Sequence, residues 1–271
     1  ISILPPDINE GEAGFSVAGD SIRYGLAAIK SLGKSVIDVM TQERNENGKY
    51  KDLKDFMERL TSKEINKRTI ENLIKSGALD SFGKTRKQQM LVYPVVLEEV
   101  NRERKESISG QMSLFDFFSE EEKKEYEMQY PDVGEYDDAQ KLALEKEVLG
   151  IYVSGHPLQK YMDSLEKQTT AKSTDFEPDE ESGRAVVRDG QHYVVGGLIS
   201  NVTAKLTKNN QNMAFVTLED LYGTVEIIVF PTIYQNVKPY LIEDKGIYVK
   251  GRASVSEESG KLIAEYIVPI E

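Results

Sequence analysis

The sequence predicts an α+β protein of several domains: an all-α region with two helical hairpins in tandem, a charged linker, and a five-stranded β-barrel of the OB-fold type. Three observations lead to this prediction. Apolar residues recur at the helical period of 3.6 in the first half of the chain. They alternate with period 2 from about residue 191 onwards. A charged segment separates the two halves, and 271 residues are enough for at least two domains.

The helical region is predicted at 21–106, after a Pro- and Gly-containing stretch at 1–20 that reads as loop and short extended segments. Glycine breaks and capping pairs divide it into five helices. Pro94 is expected to kink or shorten the last one, because it removes a backbone donor. The predicted helices occupy 23–32, a segment starting at Ser35, 52–60, a segment capped by Thr61 that ends before Gly77, and 85–104.

Three connecting segments follow the helical region. Residues 107–135 form a charged linker that contains the apolar nonamer 110–118. This nonamer is either a peptide presented to the pocket of a partner, with Leu114 and Phe115 as anchors, or a stretch that folds back onto a neighbouring domain. Residues 136–168 are predicted to be a helical connector, and residues 169–190 a flexible acidic linker.

The barrel is predicted at 191–271, because three strands, a helix and two more strands within about eighty residues are the order of an OB fold. The predicted strands are 193–201, 213–219, 224–230, 247–255 and 262–268, with a long polar loop at 203–212. Such a barrel binds single-stranded nucleic acid, or it binds protein or acts as a spacer. Side chains placed to contact bases or phosphates are Lys205, Lys208, Phe215 and Tyr222.

Composition excludes several classes of site. The chain has no cysteine, and His156 and His192 lie far apart, so no metal site is predicted. No catalytic set is predicted either, because the acidic residues lie in linkers or at helix starts. The net charge of −12 conceals an asymmetry: residues 23–105 hold 18 Lys and Arg against 12 Asp and Glu, a local balance of +6.

Two places in the helical region share the layout of a helix-hairpin-helix motif, in which backbone N–H groups at the start of the second helix bind a phosphate oxygen. The alternative is an ordinary helical hairpin whose glycine caps a helix. The first copy departs from the usual pattern, because Lys30 or Ser31 stands where an earlier glycine often occurs. The predicted DNA-binding residues are Lys30, Ser31, Leu32, Gly33 and Lys34 in the first hairpin and Lys75, Ser76, Gly77, Ala78 and Lys84 in the second.

These motifs occur in an order that resembles the C-terminal part of the alpha subunits of bacterial DNA polymerase III, the C-family replicative polymerases. The resembling segments are 4–9, 22–30, 72–80 and 145–158, of which the last is the most specific. The resemblance implies the end of a fingers region at 1–20. It also implies a sliding-clamp-binding peptide with a Gln-x-Ser-Leu-Phe pattern, formed by Gln111, Met112, Ser113, Leu114 and Phe115.

The resemblance further implies that the parent is a DNA-directed DNA polymerase whose catalytic palm and Mg²⁺ lie outside this chain. The chain opens without Met in an extended segment, which predicts a piece of a longer protein. This piece would bind duplex DNA, the clamp and single-stranded template, would need no cofactor of its own, and would reside in the bacterial cytoplasm. A DNA repair factor that reuses the same modules, or a protein-interaction module, are the alternatives.

Overall fold

The computed structural model describes residues 2–60, 66–108, 129–179, 183–256 and 259–270. The chain forms two compact units, Ile1–Gly155 and His156–Glu271. Each unit has its own apolar core, which is mainly helical in the first unit and built around a closed barrel in the second. The predicted α+β class is therefore confirmed. None of the helices in the described part of the chain has the length and apolar character that crossing a bilayer requires.

A small sheet opens the first unit, with strands β1 (Ser2–Leu4), β2 (Ser16–Ala18) and β3 (Ser21–Arg23) in the order β1-β3-β2. The helix predicted at 23–32 is wrong, because only Leu26–Ala28 form a single 3-10 turn. The N–H of Leu26 donates to the carbonyl of Glu12 at 2.9 Å, and that of Ala27 to the carbonyl of Ala13 at 3.0 Å. Pairing with a distant segment has replaced the helical hydrogen bonds that the local pattern predicted.

Helices make up the rest of the first unit. The helix predicted at 52–60 is present at 53–59, and the side chain of Asp52 caps it by accepting the N–H of Asp55 at 2.9 Å. The α3 cap is Asn66, whereas the predicted capping residue Thr61 lies outside the described residues. Pro94 lies within α4 without ending it. The helices are α1 (Lys34–Asn47), α2 (Leu53–Arg59), α3 (Lys67–Lys75), α4 (Arg86–Ile108) and α5 (Asp138–Leu149).

The barrel of the second unit closes in the order β4-β5-β6-β8-β7, with helix α7 (Pro231–Val237) between β6 and β7, which confirms the predicted OB fold. Strand β4 continues to Leu206 and pairs with Asn212 there, so the loop predicted at 203–212 shrinks to a turn at 207–211. The strands are β4 (His192–Leu206), β5 (Asn212–Glu219), β6 (Thr224–Val229), β7 (Gly246–Val255) and β8 (Gly260–Pro269).

The described part of segment 169–190 is packed against the barrel, which corrects the prediction of a flexible linker. Ala171, Phe176 and Val187 are buried in the barrel core. The carboxylate of Asp220 accepts two hydrogen bonds from Ser173, one from its N–H at 2.7 Å and one from its hydroxyl at 2.6 Å. The acidic composition of the segment gave no indication that these three apolar side chains are buried in the barrel core. The predicted helical connector at 136–168 is also divided, because α5 belongs to the first unit and α6 (Met162–Gln168) to the second.

Candidate nucleic-acid interface

The first hairpin joins the Leu26–Ala28 turn to α1 and exposes its backbone. Ser31, Gly33 and Lys34 are exposed, while Leu32 is buried and anchors the turn. Gly33 is the N-cap of α1 and has no side chain to occupy the helix start. The first turn of α1 contains no acidic residue. The N–H of Val36 donates to the carbonyl of Gly33 at 3.0 Å, so the N–H groups of Lys34 and Ser35 are the ones open to an anion.

The backbone of Gly33 does not itself require glycine. Its φ of −73° is ordinary for any residue, and an added Cβ would meet only the hydroxyl oxygen of Ser35, at 3.9 Å. Within the described residues, nothing in the chain crowds this position. The missing side chain therefore leaves the start of α1 accessible from outside the chain, as at glycines where backbone N–H groups contact phosphate in other proteins.

Lys30 does not project a free ammonium group from this hairpin, contrary to its predicted phosphate contact. Its Nζ donates to the carbonyl of Glu147 at 2.7 Å, and its main-chain groups are also engaged. Lys34 is exposed, and the structure gives it no partner among the described residues. Lys34 is the cation that this hairpin leaves for a ligand.

The second hairpin, between α3 and α4, is closed. Ser76, Gly77 and Ala78 are buried, and their N–H groups donate at 3.0, 3.1 and 3.0 Å to carbonyls of α3. These three predicted phosphate donors are already satisfied within the chain, so the turn offers none of them free to a phosphate. The burial follows from the left-handed backbone of Gly77 (φ 81°), over which the Arg86 guanidinium lies.

Arg86 ties the closed hairpin to α5. Its guanidinium lies 2.9 Å from Asp80 and 2.9 Å from Glu145, and the side chain of Glu145 is fully buried. Burial alone would raise the pKa of Glu145, but N–H donors from Ser154 and Val153, together with Arg86, lower that pKa below its ordinary value. Burial raises the pKa of Asp80, against the opposing effect of Arg86. The pair of Arg86 and Glu145 is buried and fully bonded, with Asp80 at its exposed edge, and such a network stabilises the fold.

The start of α4 is occupied by a carboxylate of the chain itself. Glu135 accepts the N–H of Arg86 at 3.0 Å and that of Lys87 at 3.1 Å. Of the predicted cations, Lys75 pairs with Glu147 at 2.7 Å, and the Lys84 ammonium lies 5.0 Å from the ring centre of Tyr130. Neither the turn nor the helix start of the second hairpin is free for a phosphate.

The outer face of the barrel brings together some of the predicted residues. Phe215 is half-buried on β5, and the ammonium of Lys205 lies 5.0 Å from its ring centre. Phe215 is paired with Ile228 on β6, which is paired with Ile263 on β8, so an apolar row crosses three strands. Lys208 is exposed in the turn at 207–211.

Tyr222 is exposed, but the structure does not bring it beside Phe215. It lies in the turn after β5, where the Lys172 ammonium is 4.0 Å from its ring centre. The four residue-to-residue steps of strand from Phe215 to Glu219 span about 13 Å. The two aromatic side chains therefore belong to different ends of the β5–β6 hairpin.

Known proteins share both halves of this architecture. Residues 1–89 match the helix-hairpin-helix motif family, and residues 193–270 match the OB-fold nucleic acid binding domain family. Over 97% of its length the chain is 34% identical to DNA polymerase III subunit alpha of Mycobacterium tuberculosis strain CDC 1551. Over its whole length it is 34% identical to the subunit of that name from Borreliella burgdorferi. The chain is therefore similar, over nearly its whole length, to a part of DNA polymerase III subunit alpha.

The homology covers 22% and 23% of the length of these two polymerase subunits, so the chain spans less than a quarter of either relative. Solved structures align less completely. The mitochondrial single-stranded DNA binding protein Rim1 of S. cerevisiae aligns with 31% of this chain and 98% of its own, at 18% identity and a TM-score of 0.27. An alignment at that score supports no conclusion about function.

Proposed function

We propose that this chain is the DNA-binding segment of a bacterial replicative DNA polymerase, and that its first hairpin binds the backbone of duplex DNA. The observation that carries the proposal is the open start of α1, where Gly33 leaves the N–H groups accessible and Lys34 stands beside them. Oriented N–H groups and the helix dipole favour a phosphate oxygen there. The parent would carry out Mg²⁺-dependent DNA synthesis with residues outside this chain, in the bacterial cytoplasm.

The charge distribution supports duplex binding by this half of the chain. Residues 23–105 have a balance of +6 in a chain of net charge −12. Several of these cations are engaged within the fold, as Lys75 and Arg86 are. The exposed ammonium of Lys34 in the first hairpin would attract duplex DNA of any sequence equally, because the phosphates are the same along the backbone.

The test measures binding of the variants Gly33→Ala and Lys34→Ala to duplex DNA by fluorescence anisotropy, across a series of salt concentrations. Gly33→Ala is expected to fold normally, since its Cβ fits the chain, and to bind about tenfold more weakly because the methyl group obstructs a phosphate. Lys34→Ala should lower the salt slope of log K by about 1. Gly134→Ala, at an exposed glycine with nothing within 4 Å, is the matched control.

Wild-type affinity and salt slope in both hairpin variants would remove the first hairpin from the DNA interface. A wild-type chain that does not bind duplex DNA at low salt would refute duplex binding altogether.

We also propose that Gln111, Met112, Ser113, Leu114 and Phe115, which lie outside the described residues, bind a sliding clamp. Support comes from the Gln-x-Ser-Leu-Phe pattern and from homology to polymerase subunits. Leu114 and Phe115 would be the apolar anchors of the peptide. Calorimetry with a bacterial clamp should show binding that Leu114→Ala with Phe115→Ala abolishes. Met112→Ala, at the variable position of the pattern, should keep it, and equal binding by all variants would refute the assignment.

A third part of the proposal is that the barrel binds single-stranded template DNA at Phe215 and Lys205. An aromatic ring beside a cation on the outer face of an OB barrel suits base stacking next to a phosphate. Phe215→Ala should weaken binding of a labelled oligothymidine by roughly tenfold, since a stacked base contributes about 1–3 kcal/mol. Tyr266→Ala, which truncates an exposed aromatic ring on β8, is the control. Equal binding by wild type and Phe215→Ala would exclude stacking at this face.

A further inference from the structure

Lys30, the residue before the exposed turn of the first hairpin, is held by two helices that are distant in sequence. Its carbonyl accepts the side-chain N–H of Asn72 on α3 at 2.6 Å. Its N–H donates to the carbonyl of Val148 near the end of α5 at 2.8 Å, and its Nζ donates to the carbonyl of Glu147 at 2.7 Å. Three hydrogen bonds on one residue therefore connect the open hairpin to α3 and α5.

These hydrogen bonds act on the two peptide groups that set the turn. The Asn72 bond holds the carbonyl of the peptide that joins Lys30 to Ser31, and the Val148 bond holds the N–H of the preceding peptide. Ser31 has a left-handed backbone with φ 64°, which is unfavourable for a residue other than glycine. A serine stays in that conformation only where its surroundings determine the turn. The hydrogen bonds on Lys30 supply that determination.

Both helices gain from the same contacts. The last carbonyls of α5 have no partner within their own helix, and Lys30 satisfies two of them. Its ammonium is also placed favourably at the negative end of the helix dipole. Asn72 is 7% exposed, so its side-chain amide needs an internal acceptor, which the carbonyl of Lys30 provides.

We propose that Asn72, together with the carbonyl end of α5, positions the first hairpin for phosphate binding. The inference rests on the proposed function, because it gives the open hairpin the role of the phosphate contact. Asn72 is a positioning residue that acts through Lys30 and the Ser31 turn. The closed second hairpin then has a function of its own: its first helix, α3, holds the DNA-contacting turn of the first.

The test compares Asn72→Leu, which keeps the size of the side chain and removes the donor, with the wild-type chain. Duplex affinity is expected to fall about tenfold and the salt slope of log K by about 1, as for loss of one phosphate contact. The Lys30 amide should lose protection from hydrogen exchange, and the amide resonances of Ser31 to Ser35 should shift. Adding Lys34→Ala should weaken binding less than additively, because both changes remove the same contact.

Two further variants distinguish a specific effect of Asn72 on the hairpin from a general destabilisation of α3. Thr69→Val alters another buried polar side chain of α3 and should leave the hairpin resonances and the salt slope unchanged. Ser31→Gly in the Asn72→Leu background should recover part of the affinity, because glycine adopts the left-handed turn freely. If Asn72→Leu does not fold, Asn72→Ser is the milder replacement that loses the same reach.

Wild-type hairpin resonances and a wild-type salt slope in a folded Asn72 variant would overturn the inference, as would an equal loss in Thr69→Val. If the wild-type chain does not bind duplex DNA, the proposed function fails. The exchange and resonance measurements then still decide whether Asn72 sets the turn.

Discussion

Ser31 illustrates how a single residue adapts the first hairpin. The left-handed backbone at this position is one that glycine tolerates best, and the other non-glycine residues that adopt it in the described chain are Asn210 and Asp244. Asn and Asp tolerate the conformation well, whereas serine does not share their enrichment there. The first hairpin therefore differs from a glycine-rich turn at Ser31, which occupies the left-handed position, and not at Gly33, whose φ is ordinary.

Replacing Ser31 with glycine is expected to stabilise the first unit by about 0.5 kcal/mol. Relief of left-handed strain contributes about 1–2 kcal/mol, and the greater freedom of glycine in the unfolded chain offsets about 0.5–1 kcal/mol. Urea unfolding measures the difference. Ser35→Gly, in the first turn of α1, is the matched control and should destabilise by up to about 1 kcal/mol. A Ser31→Gly variant less stable than wild type would contradict the strain argument.

At the scale of elements, α5 contacts both hairpins, the second through side-chain carboxylates and the first through main-chain carbonyls. Glu145 and Glu147 are two residues apart on α5, and they hold Arg86 and Lys75 of the second hairpin. The same helix end holds Lys30 of the first. The N–H groups of the second hairpin donate to carbonyls of α3 and Arg86 covers its turn, whereas the first hairpin leaves the start of α1 exposed. Similar local sequences thus lead to one open turn and one closed turn.

Glu145→Gln is expected to destabilise the first unit by roughly 3 kcal/mol at pH 7, because Arg86 loses a fully buried partner. The folded-state pKa of Glu145 lies below its ordinary value of 4.5, so its contribution is present above that pH and is lost as pH falls through the folded pKa. The pKa of Asp80 is raised, so the pH dependence has the opposite sign: Asp80 contributes to folding stability at low pH, and this contribution is lost as pH rises through its folded-state pKa.

The measurement is the denaturant midpoint of wild type and Glu145→Gln between pH 7 and pH 3, and the gap between them should narrow on acidification. Glu147→Gln is the control, because this exposed partner of Lys75 is expected to contribute less than about 1 kcal/mol. A gap that is constant with pH would show that the charge of Glu145 is not what stabilises the cluster.

At the scale of the whole molecule, the chain consists of two units whose cores are separately complete. The core of the second unit begins well before its first strand, since Ala171, Phe176 and Val187 are part of it. A boundary at residue 190, drawn from composition, would remove these side chains from the barrel. The boundary after Gly155 leaves both cores intact.

Residues 156–271 are therefore expected to fold alone, and residues 191–271 to be much less stable or unfolded. Within the longer fragment, Phe176→Ala should cost about 3–5 kcal/mol, as for a fully buried phenylalanine. Phe230→Ala, at a 44% exposed phenylalanine, should cost much less. Circular dichroism with thermal unfolding distinguishes these cases. A stable, cooperatively folded 191–271 fragment would show that the preceding segment is not required.

The sequence by itself determined the class of the protein, the OB order of strands and the sites of both turns. These features depend on contacts between residues close in sequence, and such contacts can be predicted from the periodicity of apolar residues and from helix-capping patterns. Segments that depend on distant partners were predicted wrongly: the turn at Leu26 pairs with Glu12, and Phe176 fills a barrel whose first strand begins at His192.

Which hairpin is open was decided only by the tertiary structure. Both hairpins carry a glycine and nearby lysines, so local sequence cannot rank them. The Asn72 side chain lies 42 residues from Lys30, and the Glu147 carbonyl lies 117 residues away. Arg86, buried over Gly77, is held there in part by Glu145, which lies 59 residues away. Exposure of a backbone N–H depends on what packs against it, and packing partners are chosen by the fold as a whole.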